Sequence, residues 1–337
     1  MKNIRVGIIG ATGYTALEVA KLIQGHDNAN VVLATSRAHA GEALSTVHPS
    51  LSGRCDLTIQ SFVADQFADE CDVAMCCLPH GASAETVQQL ARRGVRVIDF
   101  SADFRLSDVD TYQKWYEVQH PWPERVGSTV YGMPEFFADS IRDADIVANP
   151  GCYPTTAILP LVPLLEAGLI TTEDIIIDSK SGVSGAGRSA KIATLYCETN
   201  EAISAYAVGC HRHQPEIDDI VRRVSGKSIQ SLFTPHLTPM DRGILSTIYV
   251  RPTCKDVSNI MACWQDRFQN SPFIHPVPHL PSTKHVAGTN HVQMSVRTAG
   301  SRAILVCAID NLAKGASGAA IQNMNVMFGF EQTTGLI

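Results

Sequence analysis

The segment Asn149-Pro150-Gly151-Cys152-Tyr153-Pro154-Thr155-Thr156 sets a cysteine after a turn and ahead of an apolar helical run at 157–165. Pro150 and Gly151 end the short strand at 146–148, so Cys152 is presented near a helix N-terminus. Partial positive charge there favours the thiolate and lowers a thiol pKa from its free value of about 8.5 towards neutrality. Covalent catalysis by sulfur needs that environment. The remaining cysteines, Cys55, Cys71, Cys76, Cys77, Cys197, Cys210, Cys254, Cys263 and Cys307, lack such a context and read as small buried hydrophobes.

A sulfur nucleophile needs a proton donor and acceptor. Gly209-Cys210-His211-Arg212-His213-Gln214-Pro215-Glu216 offers two histidines where an extended segment meets a helix. On extended backbone the rings of His211 and His213 face the same side, because side chains repeat every second position. His211 ranks first as acid/base, with His213 as the alternative; the other, or Arg212, contacts an anionic substrate. Two histidines with Cys210 or Glu216 do not follow the spacing of a structural zinc site, and no metal is expected.

Two glycine-rich turns suit anions. Gly10-Ala11-Thr12-Gly13-Tyr14 joins a strand at 4–10 to a helix at 16–24, so backbone N–H groups of Gly10, Thr12, Gly13 and Tyr14 can meet a pyrophosphate at the positive helix end. The dinucleotide fingerprint wants glycine at position 8, where Ile8 stands, with Gly7 displaced by one; a plain structural turn is the competing reading. At the end of the second strand, Thr35-Ser36-Arg37 has no carboxylate for a ribose 2′-hydroxyl. Ser36 and Arg37 suit a 2′-phosphate, which favours NADP. The second turn, Ser181-Gly182-Val183-Ser184-Gly185-Ala186-Gly187-Arg188, exposes backbone N–H groups and hydroxyls; Ser184 and Gly185 are expected at the cofactor and Arg188 at the substrate.

The elements that must position these residues follow from periodicity. Strands are expected at 30–35, 72–78 and 95–100, with a helix at 84–93, and strands alternating with helices imply a parallel sheet covered on both faces. Residues 107–123, rich in aromatic residues and proline, read as a loop region with short elements. After Asn149, strands at 175–179, 231–233, 243–250, 291–297 and 303–309, with helices at 214–223 and 257–269, predict an α+β domain with a mostly antiparallel sheet. A last helix runs from 312 through 325.

The length of 337 residues favours two domains. Hydrophobic residues at 45% suffice for a core, and the net charge of −6 offers no basic face for nucleic acid or an anionic membrane. Ten cysteines with no CxxC pair fit reduced thiols and the cytosol. No signal peptide or membrane span is expected, and the mature protein is taken to be the whole chain.

Taken in order, GATGYT at 10–15, SADFRL at 101–106, NPGCYPT at 149–155, SGVSGAGR at 181–188, HRHQPEI at 211–217 and DNLAKGA at 310–316 make the chain resemble the N-acetyl-γ-glutamyl-phosphate reductases of arginine biosynthesis over essentially its whole length. The resemblance implies an α/β protein: a Rossmann-type NADP-binding domain, 1–149 with 312–337, and a catalytic and oligomerisation domain, 150–311, like those of aspartate-semialdehyde and glyceraldehyde-phosphate dehydrogenases. It implies Cys152 as nucleophile, His211 as acid/base, and Asn311 and Gly315 near the nicotinamide. Arg105, and with it Asn149, is carried over to an anionic acyl phosphate substrate. It also implies a homodimer or homotetramer. The same chemistry on an aminoadipyl or aspartyl phosphate, and a non-catalytic NADP-binding sensor, are the competing functions.

Overall fold

The computed structural model describes residues 3–253 and 256–337; the expectation for Cys254 lies outside the described residues. The chain divides into two compact units, Met1–Pro150 with Ala316–Ile337, and Gly151–Gly315. The return from the second unit to the first thus falls at Gly315/Ala316, against the expected 311/312.

The first unit is built on six strands: β1 (Ile4–Ile9), β2 (Ala29–Thr35), β3 (Val73–Cys76), β4 (Arg96–Asp99), β5 (Val130–Tyr131) and β6 (Ile146–Ala148). Their order is β2-β1-β3-β4-β6-β5, and every neighbouring pair is parallel. Side-chain alternation splits the core in two. Val73 and Met75 of β3 pack with Ile4, Val6 and Ile8 and with Ile321 and Met324 of the final helix Gly318–Phe328. Ala74 and Cys76 face the other way, among Phe67, Val87 and Leu90. Both faces of each strand are therefore covered, which is why these strands read as unbroken apolar runs.

Within 107–123 the structure holds a full helix, Val109–Tyr116. Asp108 caps it by accepting the Thr111 N–H at 2.8 Å, and Tyr112 and Tyr116, four apart, bury one face. Aromatic residues crowded among prolines hide that spacing.

The second unit carries β7 (Ile175–Gly182), β8 (Ser204–Ala205), β9 (Ser231–Thr238), β10 (Ile244–Val250), β11 (Ile274–Pro276), β12 (Val292–Ala299) and β13 (Arg302–Ile309), in the order β11-β12-β13-β10-β7-β9-β8. This sheet is mixed: four of its six neighbouring pairs are antiparallel and two are parallel. β7 pairs with β9, and β11 with β12, in parallel. The cause lies in the helix His213–Ser225, which falls between β7 and β9 in sequence and supplies the crossover that parallel pairing requires. The long helix Cys152–Glu166 is enclosed from Tyr153 through Leu165 despite Pro160 and Pro163 in its interior. Buried hydroxyls pin it to the sheet: Thr156 Oγ1 and Ser179 Oγ each lie 2.6 Å from Ser246 Oγ. Among the described residues no helix is long and apolar enough to cross a membrane.

One glycine shows how tightly the first sheet is covered. A Cβ on Gly7 would stand 2.4 Å from Phe67 Cε1 and 2.7 Å from Cys71 Sγ. Gly7 is thus a packing glycine in mid-strand, which explains its offset from the fingerprint. Gly7→Ala is expected to destabilise the protein by about 1–3 kcal/mol through overpacking, and adding Phe67→Leu to recover part of the loss; thermal denaturation of the single and double variants checks both.

Candidate active site

In the first unit, β2 and β3 flank β1 on opposite sides, so their carboxyl ends open a crevice at the point where the strand order reverses. Gly10 leaves β1 there with φ +78°, and a Cβ on it would meet the Cys77 carbonyl oxygen at 2.5 Å. Only glycine fits both conditions. The Gly10 and Ala11 N–H groups donate to the Thr35 carbonyl at 3.0 and 2.9 Å, which brings the turn beside the end of β2. Ser36 follows, its N–H bonded to the Gln60 carbonyl, and Arg37 is exposed.

The helix Tyr14–Gln24 begins at Gly13 with no side-chain cap and no acidic residue in its first turn. A Cβ on Gly13 would have nothing closer than 3.9 Å, so the backbone is open to close approach. The turn from Gly10 to Tyr14 therefore presents open backbone at the helix start, with the Gly10 N–H itself spent on the Thr35 carbonyl. Sequence reasoning missed its support, His48, a buried side chain whose Nε2–H donates to the Ala11 carbonyl at 2.8 Å.

Two substrate assignments in this unit change character. Asn149 is buried; its amide donates to the Ala316 carbonyl at 2.9 Å and accepts from Asn323 Nδ2 at 3.1 Å. With both ends engaged, Asn149 anchors the returning chain, and its assignment to the substrate is withdrawn. Arg105 is also buried, with Nη2 donating to the Phe100 carbonyl at 2.7 Å, so it braces its own SADFRL turn.

In the second unit, Cys152 is the first residue of the helix Cys152–Glu166, five residues ahead of the apolar run at 157–165. Gly151 is the N-cap, and its carbonyl accepts from Thr155 N and Thr155 Oγ1 at 3.1 and 3.0 Å. The Gly151 N–H donates to Glu216 Oε1 at 2.9 Å, and Glu216 is buried in the first turn of the helix His213–Ser225. That bond ties the nucleophile's turn to the histidine segment. Cys152 is half-buried, whereas burial pushes the Cys71 and Cys77 thiols up to about 12 and leaves them inert. Cys197 and Cys210, expected to be buried, are exposed, because they lie on a long excursion between β7 and the helix His213–Ser225.

His211 and His213 do come together, with ring centroids 4.8 Å apart, but not by strand alternation. Arg212 has helical dihedrals, His213 opens the helix, and the His213 N–H donates to His211 Nδ1 at 3.1 Å. With Nδ1 accepting, the proton of neutral His211 sits on Nε2. Tyr153, Tyr206 and Phe233 enclose the His211 ring, at centroid distances of 5.6, 5.4 and 5.2 Å. Tyr206 Oη donates to Tyr153 Oη at 3.0 Å. Burial in this cage, and then the charge of Arg212, lowers the His211 pKa to about 4. Neither tyrosine was singled out in the sequence, and Glu216 was weighed there only as a zinc ligand, although its place in the HRHQPEI run ties it to the histidines.

Ser184, Gly185 and Asn311 also meet. Asn311 Oδ1 accepts the Gly243 N–H at 2.7 Å and its amide donates to Ser184 Oγ at 2.9 Å, while Ser184 Oγ donates to the Asp241 carbonyl. Their side-chain polar atoms serve one another, so any cofactor contact there falls to backbone. Arg188 is exposed at the end of that turn. Just before Asn311, the buried carboxylate of Asp310 accepts from Leu312 N, Ala313 N, Gly288 N and Arg242 Nη1 at 2.8, 2.9, 2.6 and 3.2 Å. The turn so fixed places Gly315 against the nucleophile: a Cβ there would stand 2.8 Å from Cys152 Cβ. Among the described residues no group of three or more His, Cys, Asp and Glu is arranged to hold a metal ion.

Residues 5–144 match the model of the semialdehyde dehydrogenase NAD binding domain, and 152–311 that of the semialdehyde dehydrogenase dimerisation domain. The chain is 67% identical to the N-acetyl-gamma-glutamyl-phosphate reductase of Rhodopirellula baltica over 341 residues, 99% of each chain. This chain belongs to the N-acetyl-γ-glutamyl-phosphate reductase family. Another member, from Desulforudis audaxviator, is 46% identical over 99% of this chain and 98% of its own. In fold, the chain is similar to aspartate semialdehyde dehydrogenase II of Vibrio cholerae (TM-score 0.73, 19% identity, 98% and 99% covered) and to aspartate semialdehyde dehydrogenase with NADP from Candida albicans (TM-score 0.68, 15% identity, 97% and 99% covered).

Two outcomes are expected of this site. Gly315→Ala should displace Cys152 and lower turnover by about tenfold to a hundredfold, the scale of a misplacement near 1 Å, with slower alkylation of Cys152 by iodoacetamide; unchanged alkylation would show that the contact does not position the sulfur. For His211, NMR titration of the ring should give a midpoint near the lowered pKa of about 4; a midpoint at the ordinary histidine value would contradict burial of the ring in the cage.

Proposed function

We propose that the protein reduces N-acetyl-γ-glutamyl phosphate to N-acetylglutamate semialdehyde and phosphate with NADPH, through a thioester on Cys152, as a step of arginine biosynthesis. Full-length identity to reductases of that name supports the substrate. The observation that carries the chemistry is a half-buried cysteine at the uncapped start of a buried helix, bonded through its neighbouring peptide to the segment bearing two histidines.

In this reading the Cys152 thiolate, favoured by the helix N-terminus, attacks the acyl carbon of the acyl phosphate. A carbon–sulfur bond forms, the carbon–oxygen bond to phosphate breaks, and the departing phosphate takes one proton from water, the proton that the overall reduction consumes. Bound NADPH supplies hydride to the thioester carbonyl. The Cys152 N–H and the Nε2–H of neutral His211 donate to the oxygen as negative charge gathers on it. Collapse of that alkoxide expels the Cys152 thiolate and frees the aldehyde. His211 thus acts as a donor that stays neutral at cellular pH, in keeping with its caged ring.

The turn at Thr12, Gly13 and Tyr14, shaped by Gly10, is assigned to the pyrophosphate, Ser36 and Arg37 to the 2′-phosphate, and the turn at Ser184 and Gly185, braced by Asn311, to the nicotinamide end. The fit rests on the open backbone at Gly13, the uncapped helix end and the exposed guanidinium after β2. His213 and Arg188 are assigned to the anionic groups of the substrate. The cytosol is the compartment proposed, in keeping with the free state of every described cysteine. The dimerisation model at 152–311 supports a homodimer or homotetramer.

The decisive assay is phosphate-dependent NADP reduction with the semialdehyde. Cys152→Ser should abolish it while leaving NADPH binding intact, and near-normal turnover would exclude the covalent step. His211→Ala should cut turnover by about 10²- to 10³-fold, the usual cost of one oxyanion donor; a greater loss in His213→Ala would reverse the two assignments.

A further inference from the structure

Between β2 and the helix Ala64–Glu70 the chain does not cross directly but makes a detour, residues 36–63. Its backbone pairs with itself at Ala43 and Thr58, and with the end of β2 at Thr35 and Gln60. Within it lie a single helical turn, Leu44–Val47, and a shorter one, Pro49–Leu51, with His48 between them. Leu44, Val47 and Leu51 are buried in the same core as Ala11 and Ala16, so the detour packs on the glycine turn. The His48 N–H donates to the Leu44 carbonyl, and the His48 carbonyl accepts from the Leu51 N–H, both at 2.9 Å. The backbone that carries the ring is thus held on both sides. His48 is only 3% exposed, and a polar ring buried so far is costly unless it is hydrogen-bonded. Its Nε2–H donates to the Ala11 carbonyl at 2.8 Å.

That carbonyl belongs to the peptide on which the glycine turn hinges. The Gly13 N–H returns to the Gly10 carbonyl at 3.4 Å, which makes 10–13 a β-turn whose central peptide joins Ala11 to Thr12. In a trans peptide the C=O and the N–H point in opposite directions. Holding the Ala11 carbonyl on His48 therefore aims the Thr12 N–H away from His48. Rotation of this one peptide by about 180° interconverts the two common forms of a β-turn. Such a rotation would exchange the Thr12 N–H for the Ala11 carbonyl oxygen, an acceptor that repels phosphate oxygens. The rotated form also demands a positive φ at Thr12, which a β-branched residue resists, and Thr12 keeps φ negative. Two devices thus oppose the rotation, the branched side chain of Thr12 and the bond from His48.

We propose that His48 is a positioning residue for the dinucleotide: it locks the Ala11–Thr12 peptide so that the Thr12 N–H, and not the Ala11 carbonyl, meets the pyrophosphate. The proposal rests on the assignment of this turn to the pyrophosphate made above, and it names what keeps the turn in the form an anion needs. The same detour serves the other phosphate. Its Gln60 carbonyl accepts the Ser36 N–H at 3.0 Å, which fixes a residue assigned to the 2′-phosphate. One segment outside the βαβ pattern therefore braces both anion contacts of the first unit.

The full-length protein and its variants are compared by fluorescence titration with NADPH, by displacement with adenosine 2′-monophosphate, which carries the 2′-phosphate but no pyrophosphate, and by steady-state kinetics. His48→Leu should weaken NADPH by about three- to tenfold, the scale of one hydrogen bond. The loss should appear in the KM for NADPH and not in kcat, and affinity for the monophosphate should hold. His48→Gln, whose amide reaches the Ala11 carbonyl, should restore most of the NADPH affinity. Thr12→Gly removes the steric barrier to rotation, so His48→Leu should cost more in a Thr12→Gly background than alone, a coupling that a general loss of packing does not produce. Wild-type NADPH affinity in His48→Leu, an equal loss for both ligands, or strict additivity with Thr12→Gly would overturn the proposal. If His48→Leu does not fold, His48→Asn, a methylene shorter than glutamine, takes its place against His48→Gln with the same expectations. Gly13→Val, which fills the open backbone, tells the two readings apart and should weaken NADPH more than His48→Leu does. Unchanged NADPH binding in Gly13→Val would refute the assignment of the turn and the role of His48 with it, whereas a weakened Gly13→Val beside an unaffected His48→Leu would refute the role of His48 alone.

Discussion

The bond from the Gly151 N–H to the buried carboxylate of Glu216 is the constraint on which the catalytic unit turns. A peptide donor at a helix N-cap meets an acidic side chain in the first turn of another helix. Charge-assisted bonds of this kind are short and directional. It fixes where the helix Cys152–Glu166 starts, and so which residue receives the field of that helix end. It also sets the register of the histidine segment, because His211 and His213 lie just ahead of Glu216 in the same short run. The chain has no freedom to shift one without the other.

Much of this was legible in the residues. Pro150 and Gly151 announce a break, and the apolar run after them announces a helix, so Cys152 stands out before any coordinates. The alternation of apolar runs with helical stretches in the first unit likewise predicts a parallel sheet, because βαβ order leaves little other choice. What escaped has a common physical cause. The pairing of β7 with β9 depends on a crossover helix that the sequence does display, but two strands separated by a long exposed excursion do not advertise their partnership. The cage of Tyr153, Tyr206 and Phe233 around His211 joins residues up to eighty positions apart, and no local period encodes it.

Asn149 and Asn311 teach a different lesson. Both sit in motifs that invite a ligand, yet the amide of each is satisfied by the protein at both ends. A buried amide left open would carry a desolvation cost of about 1–3 kcal/mol, and here the returning backbone and a neighbouring serine remove it. Motif position identifies the neighbourhood of a site more reliably than it identifies which atoms touch a ligand. The glycines are read with fewer alternatives. Gly10 and Gly315 each stand where a methyl group would collide with another segment, one at the end of β3 and the other at the nucleophile.

The final helix has a consequence for how the chain emerges from the ribosome. Its Asn323 donates to the Gly132 carbonyl, and His26 Nε2 meets Asn325 Oδ1 at 2.8 Å, so the first unit's interior is finished by residues synthesised after the whole of the second unit. The second unit is continuous in sequence, from Gly151 to Gly315. During translation the nascent first unit must wait, its sheet lacking one of its covering helices, while the later-made unit already has every strand it needs. The order of synthesis and the order of completion are therefore reversed, and the unfinished apolar face is the span most in need of chaperone shelter in that interval.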